Sequence, residues 1–183
     1  MIRAYKTEGI VLKRRNFGEA DRILTVLTKS NGKIQIKAPG VRRITSRRSS
    51  HIEPLNFSLL TLYKSSKASF PLLTEAQTLE DFRPIKNTLP RIGFAYYICE
   101  LTDSLCPENQ ENRNVFFLLK DALYKLAESF VHNSIIDNFE DNLLTTLGFL
   151  PEFHTLTDKR DFIENIMERK LVTKRLLPLF VNS

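Results

Sequence analysis

The spacing of apolar residues changes near Phe82-Arg83-Pro84, and this change constrains the fold more than any other feature of the chain. Before it, short β-rich runs are separated by turn residues. After it, apolar side chains recur every three or four positions. A period of two is typical of half-buried strands, whereas the longer period is typical of amphipathic helices. The sequence therefore predicts an α+β protein, with strands over residues 1–82 and an all-helical domain over residues 83–183.

Five runs with strand character lie in the first part of the chain. They cover residues 8–15, 22–28, 33–37, 57–63 and 70–78. Asn31-Gly32 lies between the second and third runs and is a strong hairpin signal, while Pro39-Gly40 ends the third run. Five short strands with short connections predict a small closed barrel. We predict the five-stranded OB-fold, with an SH3-like barrel as the alternative.

The second part of the chain shows apolar stripes at helical spacing, which predict a bundle of four or five helices. The first three stripes lie within residues 92–101, 115–126 and 135–147, and Gly148 is placed to end the third helix. Residues 162–179 predict one or two more helices, broken at Pro178.

Charge is distributed unevenly along the chain. All 183 residues include 27 Lys and Arg against 21 Asp and Glu, which gives a net charge of +6. Residues 1–80 hold 15 basic and 6 acidic residues, a net of +9, whereas residues 81–183 hold 12 and 15, a net of −3. The contrast predicts that the first part binds a polyanion, which is usually nucleic acid and otherwise an anionic membrane surface.

The densest positive charge lies between the third and fourth strands. Four arginines and four hydroxyl side chains fall within ten residues that contain no acid, and the arginines are Arg42, Arg43, Arg47 and Arg48. Guanidinium and hydroxyl groups both suit phosphate oxygens, so we predict a mobile loop that follows a nucleic-acid backbone.

Further cations lie on the predicted strands, as the clusters Lys13, Arg14, Arg15 and Lys29, Lys33, Lys37. The alternation places Lys33 and Lys37 on one face, with Ile34 and Ile36 pointing into the core. We therefore predict that one barrel face is a cationic groove for a single strand.

Motifs for catalysis are absent from the sequence. It contains no glycine-rich phosphate loop and no GxSxG, CxxC or HExxH motif, and His51, His132 and His154 lie in separate segments. We therefore expect no enzyme activity, no cofactor and no bound metal. One alternative is a phosphodiesterase: Glu19 and Asp21 would face the same side of a strand and could hold Mg²⁺. The favoured interpretation is that both carboxylates pair with nearby arginines.

Cys99 and Cys106 are the two cysteines of the chain and lie seven residues apart on one predicted helix face. They could be redox-active, but we favour core positions, because buried cysteine behaves as a small apolar residue. Two cysteines make no disulfide framework, which indicates a reducing compartment. The charged N-terminal sequence predicts no signal peptide, and no run of about 18 apolar residues predicts a membrane span. We expect a soluble, cytoplasmic protein.

Several motifs resemble the RecO family of bacterial recombination mediators. They are Glu8-Gly9-Ile10-Val11-Leu12, residues 18–28, Gly32, Ala38-Pro39-Gly40-Val41-Arg42, Arg47-Arg48, Leu55-Asn56-Phe57 and Thr74-Glu75-Ala76. The resemblance is specific over residues 5–82. It is looser, though collinear, to about residue 150, and there it is best at Phe139-Glu140 and Leu147-Gly148-Phe149.

Resemblance to RecO implies a DNA repair and recombination mediator rather than an enzyme. Such proteins bind single- and double-stranded DNA non-specifically, anneal complementary strands and help load the RecA recombinase on DNA coated with single-stranded-DNA-binding protein. The implied partners are RecR and the acidic, apolar C-terminal tail of single-stranded-DNA-binding protein, and the helical domain would dock a partner. The implied location is the bacterial cytoplasm, in association with the nucleoid. Arg42, Arg43, Arg47 and Arg48 match the family's basic loop and would contact phosphate.

The sequence also departs from the family pattern. Many members carry a four-cysteine zinc site after a Leu-Gly-Phe motif, but here no cysteine follows Leu147-Gly148-Phe149, so we expect no zinc. An RNA-binding OB-fold protein is the alternative function.

Overall fold

Four of the five strands of the first part are longer than their sequence signals, and helices follow the strands. In this computed structural model, residues 3–128, 133–150, 159–168 and 170–173 are described. The strands are β1 (Arg3–Phe17), β2 (Asp21–Thr28), β3 (Gly32–Ala38), β4 (Phe57–Lys64) and β5 (Leu72–Glu80). The helices are α1 (Arg83–Lys86), α2 (Leu89–Leu105), α3 (Arg113–Glu128), α4 (Asn133–Thr146) and α5 (Lys159–Met167), and a 3-10 helix covers Ser49–Ile52.

The five strands close into a barrel in the order β1-β2-β3-β5-β4. β1, β2 and β3 form an antiparallel meander, β4 pairs antiparallel with β5 and with β1, and β3 meets β5 in parallel. This closed five-stranded arrangement is the OB-fold. The structure thus confirms the α+β class and the predicted OB-fold.

β1 is shared between two neighbouring strands, which explains its length. Its first part pairs with β4 as far as Ile10, and its last part, from Gly9, pairs with β2. A strand shared in this way must bend. At Gly9 an added Cβ would lie 2.5 Å from Val26 Cγ1, so only glycine allows β2 to approach so closely. The sequence prediction missed the first residues of β1, because they lack a clear apolar alternation.

Apolar side chains form two hydrophobic clusters, and β1 contributes to both. Val11 points into the barrel, where it packs with side chains such as Leu24 and Ile36. Ile10 and Leu12 point the other way, into a cluster that the barrel shares with the helices. Burying one such side chain contributes about 1.5–3 kcal/mol, so the shared cluster fixes the helices against the barrel.

β3 pairs with β5 over a short stretch. The segment that connects α2 to α3 pairs with another part of the same edge of β3. β3 and β5 are paired at Lys37 and Leu72. At the other end of β3, Glu108 forms an isolated bridge with Lys33, and the Asn109 N–H donates a 2.8 Å hydrogen bond to the Lys33 carbonyl. An uncovered strand edge is a template for unwanted pairing. A segment of the helical part therefore protects this edge of the barrel.

The three apolar stripes lie in α2, α3 and α4, which confirms these helices, whereas α5 covers only the beginning of the predicted segment 162–179 and ends at Met167. The pattern changes at α1, as predicted, and Gly148 has a φ of +79° directly after α4. Leu171 lies outside any helix, whereas residues 174–179 with Pro178 lie outside the described residues. In the described parts of the chain, no helix is both long and apolar enough to cross a membrane. The division into domains at residue 82 stays a prediction.

Replacing Gly32 by alanine tests the contact between the β2–β3 turn and the helical part. Gly32 has a φ of +65°, and an added Cβ would lie 1.9 Å from the Gln110 carbonyl oxygen. We expect Gly32→Ala to lower the free energy of unfolding by more than about 2 kcal/mol, measured by urea denaturation.

Gly18→Ala is the matched control, because Gly18 has a φ of +58° but no atom within 4 Å of an added Cβ. We expect Gly18→Ala to lower the free energy of unfolding by the backbone strain alone, about 1 kcal/mol. Equal costs for the two variants would contradict the close contact at Gln110.

Candidate nucleic-acid interface

The arginine-rich segment between β3 and β4, residues 39–50, is anchored to the barrel and is named the basic loop here. The backbone N–H of Arg42 donates to the Ala20 carbonyl (2.9 Å), and Arg42 Nη1 donates to the Gly18 carbonyl (3.1 Å). Arg48 Nη1 donates to the Leu73 carbonyl (2.5 Å) and Nη2 to the Pro39 carbonyl (2.7 Å). Two of its own arginines therefore hold the basic loop against the barrel, whereas its expected mobility stays a prediction.

Asp21 holds the start of the basic loop. Its Oδ1 accepts a hydrogen bond from the Gly40 N–H (2.8 Å), and its Oδ2 lies 3.1 Å from Lys37 Nζ. These two contacts, the backbone one first, lower the pKa of the Asp21 carboxyl below its usual value, so the group stays ionised. Gly40 has a φ of +67°, which suits the turn that brings its N–H to the carboxylate.

The basic loop forms one wall of a cleft of about 520 Å³. The lining residues are Asp21, Pro39, Gly40, Arg43, Thr45, Ser46, Arg47 and Arg48. Arg43 and Arg47 are exposed, and neither guanidinium forms a hydrogen bond or an ion pair with the described part of the chain. Two unpaired guanidinium groups and a hydroxyl on an anchored wall can take an anionic group without prior rearrangement.

The cations on β1 are largely engaged within the chain. Lys13 Nζ lies 2.5 Å from Asp103 Oδ2, and Arg14 forms an ion pair with Glu53. Arg15 is exposed and has no such partner among the residues that the structure describes.

The side chains of β3 alternate between the core and the outer face as predicted. Lys33, however, does not contribute a free charge to the predicted cationic groove. Ile34 and Ile36 lie in the barrel core, and Lys33 and Lys37 point to the opposite face. However, the Lys33 side chain is only 8% exposed; its Nζ donates to the Asp103 carbonyl and lies 3.5 Å from the Asp103 carboxylate. An enclosed ammonium cannot reach a DNA backbone, so we withdraw Lys33 from the expected contacts.

The nine cations predicted to bind DNA therefore fall into two groups. Those with an exposed or partly exposed charge near the basic loop or on the outer barrel face are Arg15, Lys37, Arg42, Arg43 and Arg47. Those engaged with acidic groups or carbonyls of other segments are Lys13, Arg14, Lys33 and Arg48, and of these the Lys13 side chain stays 62% exposed. DNA contact by the first group stays a prediction.

Glu19 and Asp21 do not form the carboxylate pair that a phosphodiesterase would need. Glu19 lies in the turn between β1 and β2 rather than on a strand, so the prediction that both face one side of a strand is wrong. Asp21 pairs with Lys37 rather than with the neighbouring arginines that we expected. Among the described residues, no group of three or more His, Cys, Asp or Glu side chains could hold a metal ion.

The remaining candidate ligands are buried or lie elsewhere. Cys99 and Cys106 are both buried free thiols, as predicted, and burial raises their pKa values to about 12 and about 11. The two residues supply no four-cysteine zinc site. His51 Nδ1 accepts the Thr78 N–H (3.2 Å), while His132 and His154 lie outside the described residues.

Two exposed apolar side chains lie beside the cations, and for Phe17 the sequence left open whether it would be a core residue or stack on a base. Ile44 is fully exposed within the basic loop, and Phe17, the last residue of β1, is 43% exposed. Lys37 Nζ lies 5.0 Å from the centroid of the Phe17 ring. A single apolar residue among polar ones gives no periodic signal, so only the structure shows that these side chains lie beside the charges.

The fold and this surface define the chain as an OB-fold protein with a helical extension and an anchored, arginine-rich loop. Comparison with known families agrees. The family described as Recombination protein O N terminal matches residues 1–82, and Recombination protein O C terminal matches residues 86–157. The chain belongs to the RecO family.

Individual relatives carry the name DNA repair protein RecO. The relative from Roseiflexus sp. is 34% identical over 152 residues, which is 83% of this chain and 53% of the relative. Those from Dehalococcoides mccartyi and Desulforamulus reducens are 36% and 37% identical over 148 and 153 residues, 81% and 82% of this chain, and 58% of each relative. The chain thus spans a little over half the length of these relatives.

Arg47 and Arg48 are neighbours with different structural roles, which stability measurements can separate. Arg48→Ala leaves the Leu73 and Pro39 carbonyls without their charged donor, so we expect the free energy of unfolding to fall by about 2 kcal/mol. Arg47→Ala removes no hydrogen bond or ion pair within the described chain and should change the free energy of unfolding by less than about 0.5 kcal/mol. Chemical denaturation of both variants measures the difference; equal values would contradict the anchoring role of Arg48.

Proposed function

We propose that this chain is a DNA repair and recombination mediator that binds single- and double-stranded DNA without sequence preference through its basic loop. The observation that carries the proposal is the contrast between the cations. Acidic groups or carbonyls of the chain engage Lys13, Arg14, Lys33 and Arg48, whereas Arg43 and Arg47 present unpaired guanidinium groups from an anchored loop. Membership of the RecO family supports DNA as the ligand.

Contacts of this kind would recognise the phosphate groups of DNA rather than its base sequence. Guanidinium groups bind phosphate oxygens in a bidentate manner, and the backbone is the same for every sequence. The anchored backbone of the basic loop lowers the conformational entropy lost on binding, because fewer torsions have to be fixed.

Strand annealing follows from the same electrostatics. Two complementary strands repel each other through their phosphates, and a cationic surface that binds both lowers this repulsion. We propose that this effect anneals strands in gap repair and helps load the recombinase on DNA coated with single-stranded-DNA-binding protein, in the bacterial cytoplasm at the nucleoid. The proposed chemistry includes no catalytic step.

The helical part is proposed to serve protein partners, namely RecR and the acidic, apolar C-terminal tail of single-stranded-DNA-binding protein. A groove of about 400 Å³ between α3 and α4 supports tail docking. Leu118, Ala122 and Phe139 line it with apolar side chains, and Lys125 lines it as well. Lys125 Nζ lies 2.6 Å from Asp121 Oδ2, so a bound acidic tail would have to compete with that carboxylate.

The salt dependence of DNA affinity tests the electrostatic proposal. If Arg15, Lys37, Arg42, Arg43 and Arg47 each neutralise one phosphate of a single strand, log K should fall with log salt at a slope of about −3.5. The double variant Arg43→Ala/Arg47→Ala should reduce the slope to about −2.1 and weaken single- and double-stranded DNA alike.

The double variant Arg83→Ala/Arg113→Ala, at two exposed arginines of the helical part, is the matched control and should leave the slope unchanged. The same proteins are then compared in annealing of strands coated with single-stranded-DNA-binding protein, where only the loop variant should be slower. Unchanged binding and annealing by a folded loop variant would reject the basic loop as the site. Tighter binding of RNA than of DNA of equal length would favour the RNA-binding alternative.

A further inference from the structure

Phe17 is an exposed aromatic side chain with no packing role that the structure shows. It is the last residue of β1, and it belongs to neither of the two hydrophobic clusters. At 43% exposure, a large part of its surface lies in water. A single exposed aromatic ring is ordinary on a protein surface, so its neighbours have to indicate a role.

The surroundings of Phe17 connect it with the cleft beside the basic loop. Phe17 is paired with Asp21 in the β1–β2 ladder, and Asp21 lines the cleft together with Arg43 and Arg47. Lys37, the ion-pair partner of Asp21, places its ammonium 5.0 Å from the centroid of the Phe17 ring. A cation at this distance is attracted to an aromatic face and restricts the ring's orientation.

We propose that Phe17 stacks on an unpaired nucleobase of single-stranded DNA whose backbone lies along the cleft. A phosphate held by the loop arginines and a base held by a neighbouring aromatic ring is the combination by which OB-folds bind single strands without sequence preference. Every base has a π-face, so the contact adds affinity and does not select a sequence. It does select single strands over duplex, because the faces of paired bases are already stacked on one another. The proposal rests on the proposed DNA binding and adds the class of DNA that is preferred.

Phe117 provides a matched control within the same chain. It lies on α3, is 47% exposed and has Lys29 Nζ 5.8 Å from its ring centroid. Its lysine is paired with Glu8 rather than with a residue of the cleft. The two aromatic residues thus share exposure and a neighbouring ammonium, but only Phe17 has a strand neighbour that lines the cleft.

The test compares wild type, Phe17→Ala and Phe117→Ala in binding to an oligothymidine strand, an abasic strand of equal length and a duplex. We expect Phe17→Ala to weaken binding to oligothymidine about 5- to 150-fold, the range for loss of one stacked base. Binding to the abasic strand and to the duplex should change less than about twofold, and the salt slope should stay that of wild type. Phe117→Ala should match wild type on all three ligands.

Two further variants keep the test decisive. Phe17→Leu keeps an apolar side chain at the end of β1 but has no aromatic ring, so it should lose most of the affinity for oligothymidine that Phe17→Ala loses. Phe17→Trp keeps an aromatic ring and should retain this affinity. Equal losses on all three ligands, or no loss on oligothymidine, would overturn the stacking role while leaving phosphate binding by the basic loop intact. If the wild-type protein itself shows no salt-dependent DNA binding, the proposed function is rejected instead.

Discussion

The ion pair between Lys33 and Asp103 fixes where the helical part lies along β3, while the shared hydrophobic cluster holds that part against the barrel. Enclosing an ammonium group costs several kcal/mol unless a carboxylate and hydrogen-bond acceptors compensate it, and both are supplied by the last turn of α2. Because Asp103 must stay at β3, the segment that follows α2 is held beside the same strand. There Glu108 and Asn109 cover the strand edge that β5 leaves unpaired, and Gln110 packs against Gly32.

The same contacts decide where positive charge remains. Residues 81–183 have a net charge of −3, and Asp103 among them engages two of the barrel's lysines, while Glu53 of the barrel engages Arg14. The net charge of +9 on residues 1–80 already counts Glu53, so it is Asp103 that lowers the charge at the barrel surface further. Among the described residues of the barrel, exposed cations without an ion pair or a side-chain hydrogen bond are Arg15, Arg43, Arg47, Lys6, Lys64 and Lys67. Of these, Arg43 and Arg47 lie together on the cleft beside the basic loop.

Local patterns in the sequence predicted the strands, the hairpin at Asn31-Gly32, the change to helices and the place of the basic loop, because each of these depends on neighbouring residues. What could not be predicted depends on residues far apart in the chain. Lys33 looked like a surface cation because Asp103 follows it by 70 residues. Arg48 looked like its neighbour Arg47, since a carbonyl acceptor such as that of Leu73 leaves no mark in the sequence.

The most direct measurement of this division among the arginines is their reactivity towards phenylglyoxal, followed by mass spectrometry with and without single-stranded DNA. Without DNA, Arg43 and Arg47 should react quickly and Arg48 slowly, because Arg48, unlike these two, donates to carbonyls of the chain. Added DNA should protect Arg43 and Arg47. If DNA instead protects Arg83 and Arg113 of the helical part and leaves the basic loop reactive, the account of where this protein binds DNA is wrong.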